Sequence, residues 1–315
     1  MRRPMILMSM AVLLLAAATA TAAEPSVVLD RAHVAEFHPS ASEGYLVWSA
    51  NSLARPGRTN SFVRPDGESK IQVNPDGTQS FGASIDGTTV VYDEIGETDS
   101  DLGLFDAVSH YRSPMPDGVN TRNWESAPTL SGDWLLFTRN SFNRVRPADA
   151  RVRIILFNMS TQDQVVLRDV AWESHYLVSD QVSGDYATFE SCRYDADTDR
   201  YSNCNVFRYR ISAQELVKIE NPGLQQYTAS VTDDGTLYLV RSGGSRYWHC
   251  GTNARIVRYP EGGPGVVIAR LNAPRDTLNT FALEESDGST SLYFGRLNCD
   301  TGEEGLYVLR DADTA

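Results

Sequence analysis

The feature that most constrains this chain is a short segment that recurs six times. Each copy has a polar approach, a turn containing glycine, and a β-rich run ending in an aromatic or large apolar residue. The copies read SASEGYLVWSA, ASIDGTTVVYDE, PTLSGDWLLFTR, DQVSGDYATFES, SVTDDGTLYLVR and EESDGSTSLYFG. Their turn glycines are Gly44, Gly87, Gly132, Gly184, Gly235 and Gly288, spaced 43, 45, 52, 51 and 53 residues apart. Glycine suits a hairpin turn because, lacking Cβ, it takes positive φ at little steric cost.

Two further markers keep step with the glycines. An aromatic residue lies six to eight positions before each one: Phe37, Phe81, Trp124, Tyr176, Tyr227 and Phe281. A second β-rich run follows 18 to 25 positions later and contains Phe62, Phe105, Phe157, Phe207, Tyr259 and Tyr307. Between the markers, apolar residues alternate or form short runs bounded by Gly, Asp, Asn, Ser and Pro, which is the pattern of strands and turns.

Each period therefore predicts four antiparallel strands, the size of a propeller blade. A lone blade cannot bury both of its apolar faces, whereas six packed radially share a core and hide most sheet edges. The expected fold is all-β: a six-bladed β-propeller of four-stranded antiparallel blades, occupying residues 24–315 as one domain. The last copy ends in EEGLYVLRDADTA, which supplies a third strand and little more. Residues 26–30, SVVLD, are expected to complete that final blade as its outer strand. A two-sheet sandwich would account for the strands but not for the sixfold register.

Residues 1–23 read as a signal peptide rather than as part of the fold. Arg2 and Arg3 precede the apolar run MILMSMAVLLLAAA, and small residues follow at Ala20, Ala22 and Ala23. The expected location is secreted or periplasmic. The apolar run is short for a permanent anchor, and no later stretch approaches the roughly 18 apolar residues of a membrane-spanning helix, so no stable membrane insertion is expected. The formal charge is −13, and loss of residues 1–23 with their two arginines makes it −15. Such a chain repels duplex nucleic acid, which is excluded as a partner.

The segments APTLSGDWLLFTR, ASIDGTTVVYDE and DLGLFDAVSHYRSPMP resemble the TolB-like, or WD40-like, six-bladed propellers of exported bacterial proteins. Those blades carry a Pro-x-(Ser/Asp)-x-Asp-Gly run followed by an aliphatic or aromatic strand, and Pro128 to Phe137 is the best match. The resemblance covers nearly the whole mature chain. It implies architecture, and it leaves activity open, since similar blades occur in translocation proteins, peptidase-associated propellers and polysaccharide lyases.

Four cysteines, Cys192, Cys204, Cys250 and Cys299, allow three pairings. Export favours disulfides. Cys192 and Cys204 flank one hairpin, and Cys250 and Cys299 occupy matching places in adjacent copies, so the expected bonds are Cys192–Cys204 and Cys250–Cys299. A zinc site built from these cysteines and His249 is the rival reading, but no Cys-x-x-Cys pair exists. No metal and no cofactor is expected.

No nucleophile elbow, zinc helix or P-loop is present. The weak catalytic candidates are Glu125 and Glu173, within the repeated Trp-Glu-Ser triplets, and His38 and His175, near the first strands of copies one and four. Two carboxylates at one channel mouth would suit acid–base work on a glycan; the bland alternative is solvated loops and hydrogen-bonded histidines. The loop RNSFNRVRPADARVR holds Arg139, Arg144 and Arg146 with Arg151 and Arg153, the one dense basic cluster in an acidic chain. Arginine forks suit carboxylates or phosphates. SRYWHCG offers Trp248 and His249 in the matching loop of copy five. The leading expectation is a non-catalytic propeller that binds a protein or an acidic glycan through the long-loop face of blades three to five. The ligand-binding candidates are Arg139, Arg144, Arg146, Trp248 and His249. The alternative is a glycan-active lyase or hydrolase working at the channel mouth.

Overall fold

The computed structural model describes residues 25–29, 34–52, 58–96, 99–141, 149–195, 197, 200–220, 224–242, 254–270, 275–298, 300–301 and 303–314. The segment 1–23 and the residues Arg144, Arg146, Trp248, His249, Cys250 and Cys299 lie outside them. The described residues are strands joined by turns, with one short 3-10 turn at Trp172–Ser174.

The strands pair as successive antiparallel quartets. The first is β2 (Val34–Ser42), β3 (Tyr45–Ser52), β4 (Thr59–Pro65) and β5 (Ile71–Gln72); the second is β6 (Ala83–Asp86), β7 (Thr89–Ile95), β8 (Ser100–Asp106) and β9 (Arg112–Pro114). The third is β10 (Trp124–Ser131), β11 (Trp134–Ser141), β12 (Arg151–Asn158) and β13 (Gln164–Ala171); the fourth is β14 (His175–Ser183), β15 (Tyr186–Asp195), β16 (Arg200–Arg210) and β17 (Glu215–Lys218). The fifth is β18 (Gln225–Val231), β19 (Leu237–Ser242), β20 (Arg255–Tyr259) and β21 (Val266–Arg270). The last comprises β22 (Arg275–Glu284), β23 (Thr290–Asn298) and β24 (Glu304–Leu309), and its fourth strand is β1 (Ser26–Leu29), which runs antiparallel to β24 with Ser26 opposite Val308. Single parallel bridges, Ala35 to Glu304 and Trp124 to Ser100, link neighbouring quartets.

The first strands pack side by side in order: β2 beside β6, then β10, β14, β18 and β22, with β22 against β2. The core lies between the faces of successive sheets. Val47 and Val63 of the first quartet meet Val90 and Phe105 of the second. Leu136, Val152 and Ile154 of the third meet Leu177, Ala187 and Phe189 of the fourth. Tyr238 and Ile256 of the fifth meet Leu292 and Phe294 of the last. Apolar area removed from water at about 25 cal/mol per Å² is the main stabilising term for each sheet pair.

The glycines that mark the repeat all adopt positive φ, from 50° at Gly184 to 85° at Gly288. Two are also crowded. A Cβ at Gly184 would sit 2.8 Å from Asp233 Oδ1, and one at Gly235 would sit 2.7 Å from Tyr186 Cζ. The turns are tied to each other as well: Ser42 Oγ accepts from Gly87 N at 3.0 Å, and Asp86 Oδ2 from Gly132 N at 2.7 Å. Ser131 Oγ accepts from Gly184 N at 3.3 Å.

The aromatic marker ahead of each glycine is not one structural position. Phe37 and Tyr227 stand just before a mid-strand bulge, Trp124 opens β10, and Phe81 precedes β6 and is 42% exposed. The bulge itself is the feature that recurs. Register shifts interrupt β2, β10, β14, β18 and β22 near their middles, and His38, Ala127, Thr228 and Asn279 take positive φ there. An extra residue in one strand bends it and re-aims its side chains. The later marker does hold one place: Phe62, Phe105, Phe157, Phe207, Tyr259 and Tyr307 all lie on third strands.

Candidate functional site

Two of the concave regions hold histidines singled out from sequence. The first is an axial cavity of about 60 Å³, room for a few water molecules. It is lined by the bulges of the first strands: His38, Ala127, Asp180, Thr228 and Asn279. Burial lowers the His38 pKa from 6.5 to about 4, so its ring is neutral at pH 7. Burial, then the neighbouring Glu190 carboxylate, pushes Asp180 well above the usual carboxylate range. Asp180 Oδ2 and Thr228 Oγ1 have no hydrogen-bond partner. Around this cavity the second strands hold the next sheet's bulge in place. Glu190 Oε2 accepts from Thr228 N at 2.8 Å, and Thr138 Oγ1 accepts from Ser179 N at 3.0 Å. Asp93 Oδ1 accepts from Phe81 N, Gly82 N and Ser80 Oγ at 2.7, 3.0 and 3.0 Å. Burial still raises Asp93 to about 6 against those hydrogen bonds.

The second region is an open pocket of about 600 Å³ against the fourth quartet. Its residues come from strand ends on one side of the molecule. Arg168 lies near the end of β13, His175 opens β14, Arg193 lies near the end of β15, Asn203 and Asn205 lie near the start of β16, and Lys218 ends β17. Antiparallel alternation puts all of these at the end where the first strands begin. His175 and Arg193 are cross-strand partners. The Arg168 guanidinium lies 5.5 Å over the Phe207 ring, which stacks on Phe189 with centroids 5.0 Å apart. Such a cation–π seat holds a guanidinium without neutralising it. Arg168 Nε is buried with no hydrogen-bond partner. Among the described residues, no carboxylate comes within ion-pair distance of Arg168, Arg193 or Lys218, although Arg151 and Arg153 share Asp169 at 2.7 and 2.9 Å nearby. His175 Nδ1 lies 2.8 Å from Ser174 Oγ. Desolvation, then Arg168 and Arg193, lowers the His175 pKa.

The residues picked out from sequence do not share one cavity. His38 faces the axial cavity, and His175 lines the outer pocket. Glu173 lies in the exposed 3-10 turn. Glu125, expected at a solvated mouth, is fully buried: Oε1 accepts from Arg139 Nε at 2.7 Å and from Thr121 Oγ1 at 2.8 Å. Burial pushes its pKa up, opposed by Thr121 and Arg139. Arg139, expected in an exposed basic cluster, is 7% exposed and donates its remaining bonds to the carbonyls of Gly118 and Val119. It faces inward because β11 is buried on both faces, and position 139 packs against the 118–125 segment. Cys192 and Cys204 are joined by a disulfide, buried beside Tyr227 and Val240. Among the described residues, no group of three or more His, Cys, Asp or Glu side chains forms a metal site.

Sequence reasoning missed Arg168, Arg193 and Lys218, because they are isolated in the sequence and converge only through pairing within the fourth sheet and packing of the third against it. The available signal was a basic residue near the ends of alternate strands in an otherwise acidic chain.

No family model matches the chain, and no curated protein does. Solved structures do. TolB from Acinetobacter baumannii superposes with a TM-score of 0.51 at 14% identity, over 88% of this chain and 63% of that one. A putative TolB from Agrobacterium tumefaciens gives 0.53 at 15% identity, over 87% and 90%. The β-propeller domain of the Trilobed protease from Pyrococcus furiosus, described as having an open velcro topology, gives 0.51 at 10% identity, over 88% and 93%. The chain thus spans under two thirds of the Acinetobacter protein's length. The fold is a β-propeller. These sequence identities speak to architecture alone.

Proposed function

We propose that this chain is an exported binding propeller that takes an acidic glycan or acidic protein surface on the strand-start face of blades three to five. The carrying observation is the pocket at blade four, where Arg168, Arg193 and Lys218 converge without carboxylate partners in a chain of charge −13. A field of one sign inside a concavity concentrates ligands of the other. The six strand quartets, and the pairing of β1 with β24, support six blades closed by the N-terminal strand. β11 and β19 end on this same face, and Arg144, Arg146, Trp248 and His249, which follow them in sequence, are proposed to extend the surface. Cys250–Cys299 is proposed as a second disulfide, and 1–23 as the export signal. The catalytic alternative drew on Glu125, Glu173, His38 or His175, and the burial of Glu125 against Arg139 weighs against a Glu125–Glu173 pair.

The test is binding of immobilised protein to polyuronate, to a neutral polysaccharide and to an acidic protein, with polymer length followed in parallel. Salt-sensitive retention of an acidic partner without new chain ends is the expected result. New reducing or unsaturated ends would replace this reading with an enzymatic one.

A further inference from the structure

The blade-four pocket carries more than a general preference for acidic partners. Its volume, about 600 Å³, is in the range of pockets that enclose multi-ring ligands, well beyond what a lone inorganic anion fills. Its three cations sit on three different strands, β13, β15 and β17, so they are spread across the pocket rather than focused on one point. Between them stand the amide side chains of Asn203 and Asn205, on β16. Amides both donate and accept, which suits hydroxyl groups. Spaced positive charges with amides between them match a chain of sugar rings bearing an oxyanion on successive units.

Arg168 is prepared for such a partner. Phe207 covers one face of its guanidinium, Phe189 backs Phe207, and Nε is already withdrawn from water without a partner. A group held this way loses little conformational freedom when it engages a ligand, and its desolvation has been met by folding.

We propose that this pocket binds a short oxyanion-bearing oligosaccharide, carboxylated or sulfated, through Arg168, Arg193 and Lys218, and that His175 gains a proton as it does so. The site deepens the binding-propeller reading and rests on it.

The proton follows from electrostatics. The groups acting on His175 are Arg168 on β13, Arg193 opposite it on β15 and its hydrogen-bond partner Ser174, while Lys218 lines the same pocket from β17. Asp169, on β13, is held by Arg151 and Arg153, and Glu173 lies in the exposed turn. With the pocket empty, both arginines disfavour imidazolium. A ligand anion placed among them reverses the sign of that field, so imidazolium becomes the favoured form. By linkage, affinity rises as pH falls through the histidine range, by at most tenfold per pH unit for one proton.

Calorimetry on the full mature chain decides the matter with four probes: a uronic acid trisaccharide, its carboxyl-reduced neutral counterpart, a sulfated trisaccharide and inorganic sulfate. Expected is binding of one or both charged trisaccharides, at least tenfold tighter than the neutral one and than sulfate ion, with proton uptake seen in buffers of different ionisation enthalpy. The preferred charged probe identifies the oxyanion. Arg168→Ala and Arg193→Ala should each weaken binding at least tenfold, with folding checked by near-UV circular dichroism. His175→Gln should keep the pH 8 affinity and abolish its rise toward pH 5.5. Equal binding of the neutral trisaccharide, or no binding of either charged one, overturns the proposal. Capture of an acidic protein alone leaves the binding-propeller reading standing and removes this one. Undiminished charged-glycan binding by Arg168→Ala and Arg193→Ala keeps the function and overturns the site.

Discussion

Glu190 on β15 accepts a hydrogen bond from the backbone N–H of Thr228, on the first strand of the next sheet, at 2.8 Å. Thr228 is the bulged residue of β18, with φ of 47°. One buried carboxylate therefore fixes an uncommon backbone conformation in the neighbouring blade. Its charge also raises the pKa of Asp180 at the axial cavity. Packing between blades and the shape of the axis are thus set by the same side chain.

Replacing Glu190 with Ala is expected to leave the Thr228 N–H buried without an acceptor and to cost about 2–3 kcal/mol. Glu190→Gln keeps an acceptor and should cost less. Denaturant unfolding of the two variants checks the order. Both should bring the Asp180 pKa down toward the ordinary carboxylate range, readable by carboxyl NMR titration.

Glu125 and Arg139 form a buried pair at 2.7 Å. Removing one partner strands the other charge, so Glu125→Ala or Arg139→Ala should each destabilise by about 3–5 kcal/mol. Arg139→Ala also frees the carbonyls of Gly118 and Val119. The double change Glu125→Leu with Arg139→Met should cost less than either single change, because no unpaired charge remains. Chemical denaturation of the three variants tests this non-additivity.

Two buried groups give opposite pH dependences. The folded pKa of His38 lies near 4, below its unfolded value of 6.5. Its contribution is present above pH 6.5 and lost as pH falls toward 4, about 3 kcal/mol in all. Asp93 lies near 6, above its unfolded value of 3.8. Its contribution is present below pH 3.8 and lost as pH rises toward 6, again about 3 kcal/mol. The two largely offset each other in the native chain. His38→Asn, which suits the φ of 52°, should therefore make the protein gain stability on acidification from pH 6.5 to 4 relative to the native chain. Parallel slopes for variant and native chain would contradict the assignment.

Cys192 and Cys204 are 12 residues apart and bonded within blade four. Closing a loop of that size is worth about 2–4 kcal/mol in the chain-entropy model. The double alanine variant should lower the thermal midpoint by several degrees, and reductant should have no further effect on it if no second bond is present. An additional drop under reductant would point to Cys250–Cys299.

The glycine turns were legible in sequence because positive φ restricts the residue type at one position per period. The aromatic residues ahead of them were a poorer guide. Tyr227 sits beside the bulge of β18 and packs in the core, whereas Phe81 precedes β6, whose pairing carries no register shift, and is exposed. The cationic pocket was illegible for a different reason. Arg168, Arg193 and Lys218 are 25 residues apart in turn, with acids between them; only the pairing within the fourth sheet and the packing of β13 from the third sheet bring them to one side. Of the sequence cluster at 139–153, Arg139 lies on a strand buried on both faces and pairs with Glu125, while Arg151 and Arg153 share Asp169.

The pairing of β1 with β24 joins residues about 280 positions apart in the chain. β1 therefore finds its place only once β24 is available, across nearly the full span of the described strands. A sheet contact of that sequence separation carries a large loop-closure entropy, so the strand that completes the last quartet is expected to dock late in folding.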